Sequence, residues 1–125
     1  MTDRRAHLPR QAEIAAYGNG GFRFADMSHR GGLMSLPSGM YAWAPGDIAR
    51  LAEPDFADVF LEGEPIDLLL IGTGLEIRPI PEALKWRLRD RRIQSDVMRT
   101  GDAIRIYNIL LGERRRVAGA FVSVE

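Results

Sequence analysis

The chain is predicted to fold as an α/β layered domain with an attached N-terminal β-meander, and three observations carry that expectation. Its 125 residues suit one domain with a single self-sufficient core. The first third divides into short apolar segments separated by glycine-rich turn signals. From Ile66 onward, apolar strand-like runs alternate with segments of helical period, the order that builds a layered sheet.

Residues 1–12 are polar and irregular, and are expected to form a flexible tail ahead of a single domain over residues 13–125. Residues 13–17 and 22–24 flank G-N-G-G, and Asn19-Gly20 between apolar segments is a strong hairpin signal. Gly31-Gly32 breaks the chain. Two further short strands, residues 33–36 and 40–43, are joined by Pro37-Ser38-Gly39, which completes the expected meander. Pro45-Gly46-Asp47 reads as a turn into a short helix capped by Asp47. A second helical piece covers residues 55–61, with Phe56, Val59 and Phe60 on one face and Gly63 and Pro65 ending it.

Residues 66–71 are nearly continuously apolar, as in a strand covered on both faces. Pro79 and Pro81 suit the start of a helix running to about Arg91, where Ile80, Leu84 and Leu88 recur at intervals of four. Residues 93–98 are the next strand. Thr100 is read as the cap of a helix whose apolar face is Ala103, Tyr107, Leu110 and Leu111, with Gly112 as its stop. Residues 117–124 close the sheet.

Composition narrows the function classes. Apolar residues make up 46% and charged residues 27%, ordinary for a globular protein and against disorder. No apolar stretch approaches the roughly 20 residues that a membrane-spanning helix needs. The arginines near the N-terminus have no apolar segment behind them, so a cytoplasmic location is expected. The absence of cysteine excludes disulfides, thiolate chemistry and cysteine-ligated metals. Formal net charge is zero but unevenly placed. Residues 44–84 hold nine acids and two arginines, a balance of −7, and residues 85–116 hold ten bases and four acids, a balance of +6. Such a split fits either a partner surface or two solvated faces that neutralise one another.

The stretch L-L-L-I-G-T-G at residues 68–74 raises the question of nucleotide binding. A dinucleotide turn needs a third glycine and an immediate helix. Here Ile77 occupies that position, and Pro79 and Pro81 delay the helix. The loop reads instead as a strand exit where the amides of Gly72 and Gly74, with Thr73, line a small crevice bordered by Ser38 and Asn108. These five residues are the candidate ligand-binding set. No catalytic or metal-binding residues are assigned. His29 beside Asp26 and Ser28 reads as a hydrogen-bonded turn histidine, because such close neighbours rarely reach triad geometry. The basic run at residues 85–92 has helical period and reads as a solvated face rather than a nucleic-acid site, leaving Trp86 unexplained.

Four stretches together, Y-G-N-G-G-F-R-F-A-D, L-P-S-G-M-Y-A-W, L-L-L-I-G-T-G and Y-N-I-L-L-G-E-R-R-R-V-A-G-A, resemble the small Mth-domain family of unknown function. That family includes the mitochondrial assembly factor for respiratory complex I (NADH:ubiquinone oxidoreductase). The resemblance implies a three-layer α/β fold with a central mixed sheet and an attached β unit. The family's tyrosine-asparagine pair falls on Tyr107-Asn108, whereas Ala103-Ile104-Arg105-Ile106 departs from the A-C-R-T such proteins often show. No catalytic residues and no cofactor follow from it. The expectation is therefore a non-enzymatic interaction or assembly protein with a protein partner and no nucleic acid, of open oligomeric state. The alternative is a small-anion or metabolite-binding module built on Gly72-Thr73-Gly74.

Overall fold

The computed structural model describes residues 6–125; residues 1–5, the start of the expected tail, lie outside the described residues. The described residues form two sheets. The smaller has three antiparallel strands, β1 (Ala16–Gly18), β2 (Gly21–Phe24) and β3 (Met27–Arg30). The larger contains β4 (Gly32–Leu36), β5 (Gly39–Trp43), β6 (Leu68–Gly72), β7 (Gln94–Met98) and β8 (Val117–Phe121), in the order β5-β4-β8-β6-β7. β8 runs antiparallel to β4 and parallel to β6, and β7 is parallel to β6, so the sheet is mixed. Among the described residues three α-helices accompany it, α1 (Ala57–Leu61), α2 (Glu82–Asp90) and α3 (Thr100–Gly112), and two short 3-10 helices, Ile48–Arg50 and Glu53–Phe56, precede α1.

The layering follows from the two-residue period of a strand. In β6, Leu69 and Ile71 face one core with Leu84 and Leu88 of α2 and Phe56 and Val59 of the short helices. Leu70 faces the other, with Phe22 and Phe24 of the small sheet and Ala103, Ile104 and Tyr107 of α3. β8 divides likewise, Ala118 and Ala120 against Val117 and Phe121. Both faces of the central strands are covered, which is why their sequence lacks polar alternation. The result is the three-layer arrangement the resemblance implies.

The first third departs from the expected meander. Asn19-Gly20 forms the tight turn, with φ of 51° and 79° and Gly18 paired to Gly21. A second two-residue turn follows at Ala25-Asp26, φ 48° and 61°, and creates β3, which the sequence reading lacked. Both turns need positive φ at both positions. Alanine and aspartate give little sign of that. The β4–β5 hairpin belongs to the central sheet rather than to the meander, because β4 pairs with β8 through Leu33–Phe121, Met34–Ala120 and Ser35–Gly119.

Residues 7–12 also depart from the expected flexible tail. The His7 amide donates to the Met40 carbonyl at 2.8 Å and the Met40 amide to the Leu8 carbonyl at 2.9 Å, which covers the outer edge of β5. Polar composition does not reveal such attachment, since an open strand edge pairs with backbone whatever the side chains.

Helix ends differ in an informative way. Thr100 lies inside α3 and does not cap it. Gly112 is still helical, and the chain reverses at Arg114, φ 61°. Arg115 N donates to Leu110 O and Arg114 N to Leu111 O, a Schellman closure. α2 ends the same way, with Arg92 at φ 60°, Ile93 N to Leu88 O and Arg92 N to Arg89 O. Both reversals place arginine where glycine is commonest.

At Gly72 a Cβ would stand 2.8 Å from Thr100 Cα and 3.2 Å from Ala103 Cβ, so glycine lets α3 lie directly on β6. Gly72→Val should therefore cost about 1–3 kcal/mol through overpacking, measured by urea unfolding. In the same assay Arg92→Gly and Arg114→Gly should each stabilise by about 1 kcal/mol, because the left-handed strain disappears. Unchanged or lowered midpoints in both arginine variants would contradict the strain.

Candidate functional site

Gly72-Thr73-Gly74 lies where β6 leaves the sheet, and its polar groups are consumed by the fold. The Gly72 carbonyl accepts from Val122 N at 2.8 Å, and Thr73 N donates to Met98 O at 2.9 Å. The Thr73 hydroxyl donates to Glu76 O at 2.7 Å and accepts from Arg78 N at 3.0 Å. Gly74 N donates to the Thr100 hydroxyl at 2.8 Å, which donates to Val122 O at 2.7 Å. Thr100 N returns a bond to Gly74 O at 2.9 Å. Thr100 is thus a clasp between the loop and the chain leaving β8, which is why its hydroxyl is not at its own helix terminus. Gly74 takes φ 96°, a conformation open to glycine at little cost.

The five candidate residues are not brought together. Ser38 sits in the β4–β5 turn, and the sheet register puts that turn at the opposite end from Gly72. Its hydroxyl donates to Glu62 Oε1 at 2.6 Å, and its amide donates to Glu62 Oε2 at 3.1 Å. The expected border of the crevice by Ser38 is therefore corrected: the antiparallel pairing of β4 with β8 carries it away. Asn108 is nearer, but its side chain is engaged, accepting from Ile14 N and donating to Ile14 O, both at 2.9 Å.

Tyr107 beside it is wholly buried. Its hydroxyl donates to Ala12 O at 2.7 Å and lies 2.7 Å from Ser35 Oγ, which accepts from Gln11 Nε2 at 3.1 Å. Gln11 Nε2 also reaches Val117 O at 2.7 Å. Burial pushes the Tyr107 hydroxyl well above the ordinary tyrosine range; the Ser35 bond opposes this and the Glu13 charge adds to it. The tyrosine-asparagine pair is thus a mooring for residues 11–14.

His29 is a strand residue rather than a turn residue. Its Nε2 bonds Gly32 O at 2.8 Å, and alternation along β3 puts it on the opposite face from Ser28, so no triad forms. Its ring lies 5.0 Å from that of His7. Among the described residues no cluster of three metal-ligating side chains occurs. Nor is any helix among them long and apolar enough to cross a membrane. On α2, Arg87 pairs with Glu53 at 3.2 Å and Lys85 with Glu82 at 3.3 Å, while Arg87 and Arg91 lie over the Phe60 ring. The acidic and basic segments partly neutralise each other in this way. Trp86 remains 59% exposed, with Arg89 over its ring.

The feature that sequence reasoning missed is apolar. Leu75 is 74% exposed at the loop tip and Ile77 61%. Leu75 separates two hollows at this end of the sheet. One, about 710 Å³, is lined by Tyr17, Arg99, Gly101 and Arg105; the other, about 640 Å³, by Ile48, Glu76, Arg78 and Val124. Three of the seven exposed large apolar side chains among the described residues, Tyr17, Ile48 and Leu75, line these hollows, and Ile77 sits between Glu76 and Arg78 on the same loop. Their separation in sequence hid the patch.

The family model for a protein of unknown function (DUF498/DUF598) matches residues 14–122. The chain belongs to this family. It is similar to the crystal structure of an outer membrane protein from Bartonella henselae, with 48% identity and TM-score 0.89 over 95% of this chain and 100% of that one. A Mth938-like domain from Bordetella pertussis shares the fold, with 20% identity and TM-score 0.75 over 98% of this chain and 91% of that one. Distant similarity, 23% identity over 118 residues, links the chain to the mouse NADH dehydrogenase [ubiquinone] 1 alpha subcomplex assembly factor 3. That match covers 94% of this chain and 64% of the mouse protein, so the chain spans less than two thirds of that relative's length. The Mth-domain resemblance read from the four short stretches is confirmed.

Removing the Tyr107 hydroxyl leaves the Ala12 carbonyl unsatisfied. Tyr107→Phe should cost about 1–3 kcal/mol in urea unfolding. The raised hydroxyl also has a pH signature. Above about pH 10 the unfolded chain loses this proton while the folded chain keeps it, so the contribution is complete below pH 10 and declines as pH rises beyond it. The wild-type melting temperature should fall more steeply from pH 10 to 11 than that of Tyr107→Phe.

Proposed function

We propose that this protein is a non-enzymatic interaction factor that binds a protein partner through the end of the sheet marked by Leu75, and that it serves in assembling a larger complex. The observation carrying this reading is the exposure of Tyr17, Ile48 and Leu75 around two hollows, with Ile77 exposed on the same loop. A patch of this kind, rimmed by charged groups, is the usual mark of a protein contact. The name of the mouse relative supports an assembly role, and complex I biogenesis is its most specific form. The engaged donors of Thr73 and Gly74 support this reading over anion binding at the loop. A cytoplasmic place of work fits the cysteine-free composition.

The test is affinity purification of the native protein with mass spectrometry, comparing wild type with Leu75→Glu combined with Ile77→Asp. Both side chains are exposed, so stability should stay within about 0.5 kcal/mol of wild type. The specific partner should disappear from the variant. Retention of the same partners at wild-type yield would overturn the interface. Turnover of a substrate, abolished by Thr73→Ala with the fold intact, would overturn the non-enzymatic reading.

A further inference from the structure

Arg23 belongs to the stretch Y-G-N-G-G-F-R-F-A-D, and neither the packing nor the Leu75 interface accounts for it. Phe22 and Phe24 on either side are buried, so Arg23 projects from the open face of the small sheet. Pairing puts Ala16 and Ser28 beside it, and Gly18, Gly21 and Arg30 one rung away on the same face. This face is a hollow of about 420 Å³. The hairpin itself demands the two glycines: Gly18 has φ 130°, and a Cβ on Gly21 would meet the His29 carbonyl. Their by-product is a floor free of side chains.

Arg23 and Arg30 occupy diagonal positions on adjacent strands, with Cβ atoms roughly 7 Å apart. Among the described residues neither guanidinium has a carboxylate partner. Glu125 shares with Arg30 the space above Gly20, where their polar atoms lie 3.9 and 3.7 Å from a built Cβ without forming an ion pair. Two unpaired guanidinium forks facing one concave surface suit a tetrahedral oxyanion, which can offer oxygens to both. A planar carboxylate satisfies one fork.

We infer that this face binds a small phosphorylated molecule, its phosphate held between Arg23 and Arg30 and its body lying across the floor of Gly18 and Gly21, with Ser28 at the rim. The hollow falls within the roughly 300–1,000 Å³ of small-molecule sites. This assignment does not depend on the partner interface.

The test follows backbone amides by NMR while the full chain is titrated with phenyl phosphate and, separately, benzoate at constant ionic strength. Phenyl phosphate should give saturable shifts centred on Gly18, Gly21, Arg23, Ser28 and Arg30, and benzoate should bind at least tenfold more weakly. Arg23→Gln and Arg30→Gln should each weaken phenyl phosphate at least tenfold, and Glu125→Gln should tighten it. Both arginines are exposed, and unchanged amide spectra away from the site would show that the variants keep the fold. Non-saturating shifts, equal binding of benzoate, shifts centred elsewhere, or undiminished binding by both arginine variants would overturn the assignment.

Discussion

A tyrosine hydroxyl gives one hydrogen and accepts others, and at Tyr107 these capacities meet groups from different parts of the chain. It donates to the Ala12 carbonyl and stands beside the Ser35 hydroxyl, which in turn meets Gln11. Helix α3, the central sheet and the first described residues are joined at one buried point. Low polarity there strengthens each bond and makes each vacancy costly. Asn108 extends the mooring by engaging both backbone groups of Ile14. From Ile14 the chain enters β1, so the placement of the small sheet, and with it the Arg23 face and the Tyr17 edge of the Leu75 patch, descends from this helix turn.

Much of this was legible because local rules and global packing agreed. Asn19-Gly20 favours a tight hairpin on backbone grounds alone, and it forms one. The unbroken apolar run at residues 68–71 announces a strand buried on both sides. The illegible parts are those where tertiary contacts override local preference. Ala25 in a left-handed turn and arginine at both helix exits are held there by the elements they connect. Thr100 looks like a cap because threonine usually serves its own helix, yet its hydroxyl serves two neighbouring segments. The attachment of His7 and Leu8 depends on the free edge of β5, which no local pattern encodes.

The same distinction explains why short motifs identified a family without identifying a chemistry. Gly72 permits a helix to approach, Tyr107 and Asn108 moor a segment, and Asn19-Gly20 turns a hairpin. These are scaffold positions. A glycine loop after a buried strand has the outward look of a ligand site because both uses need bare backbone, and only the fate of its amides separates them. The surface groups left over, Leu75 and Ile77 at one end and Arg23 and Arg30 on the small sheet, carry the functional readings precisely because the scaffold does not use them.

Strand β8 is the last of the eight described strands in chain order, yet it lies between β4 and β6. During synthesis the β4–β5 hairpin and the β6–β7 pair emerge earlier without the strand that joins them. Each then exposes an unpaired edge, and Leu70 and Leu33 await a common core. Closure waits until residue 121 has left the ribosome, when one strand seals two edges at once. Between the emergence of residue 98 and that of residue 121, a nascent chain of this topology holds its sheet in two pieces, the condition in which edge pairing with a neighbour competes with folding.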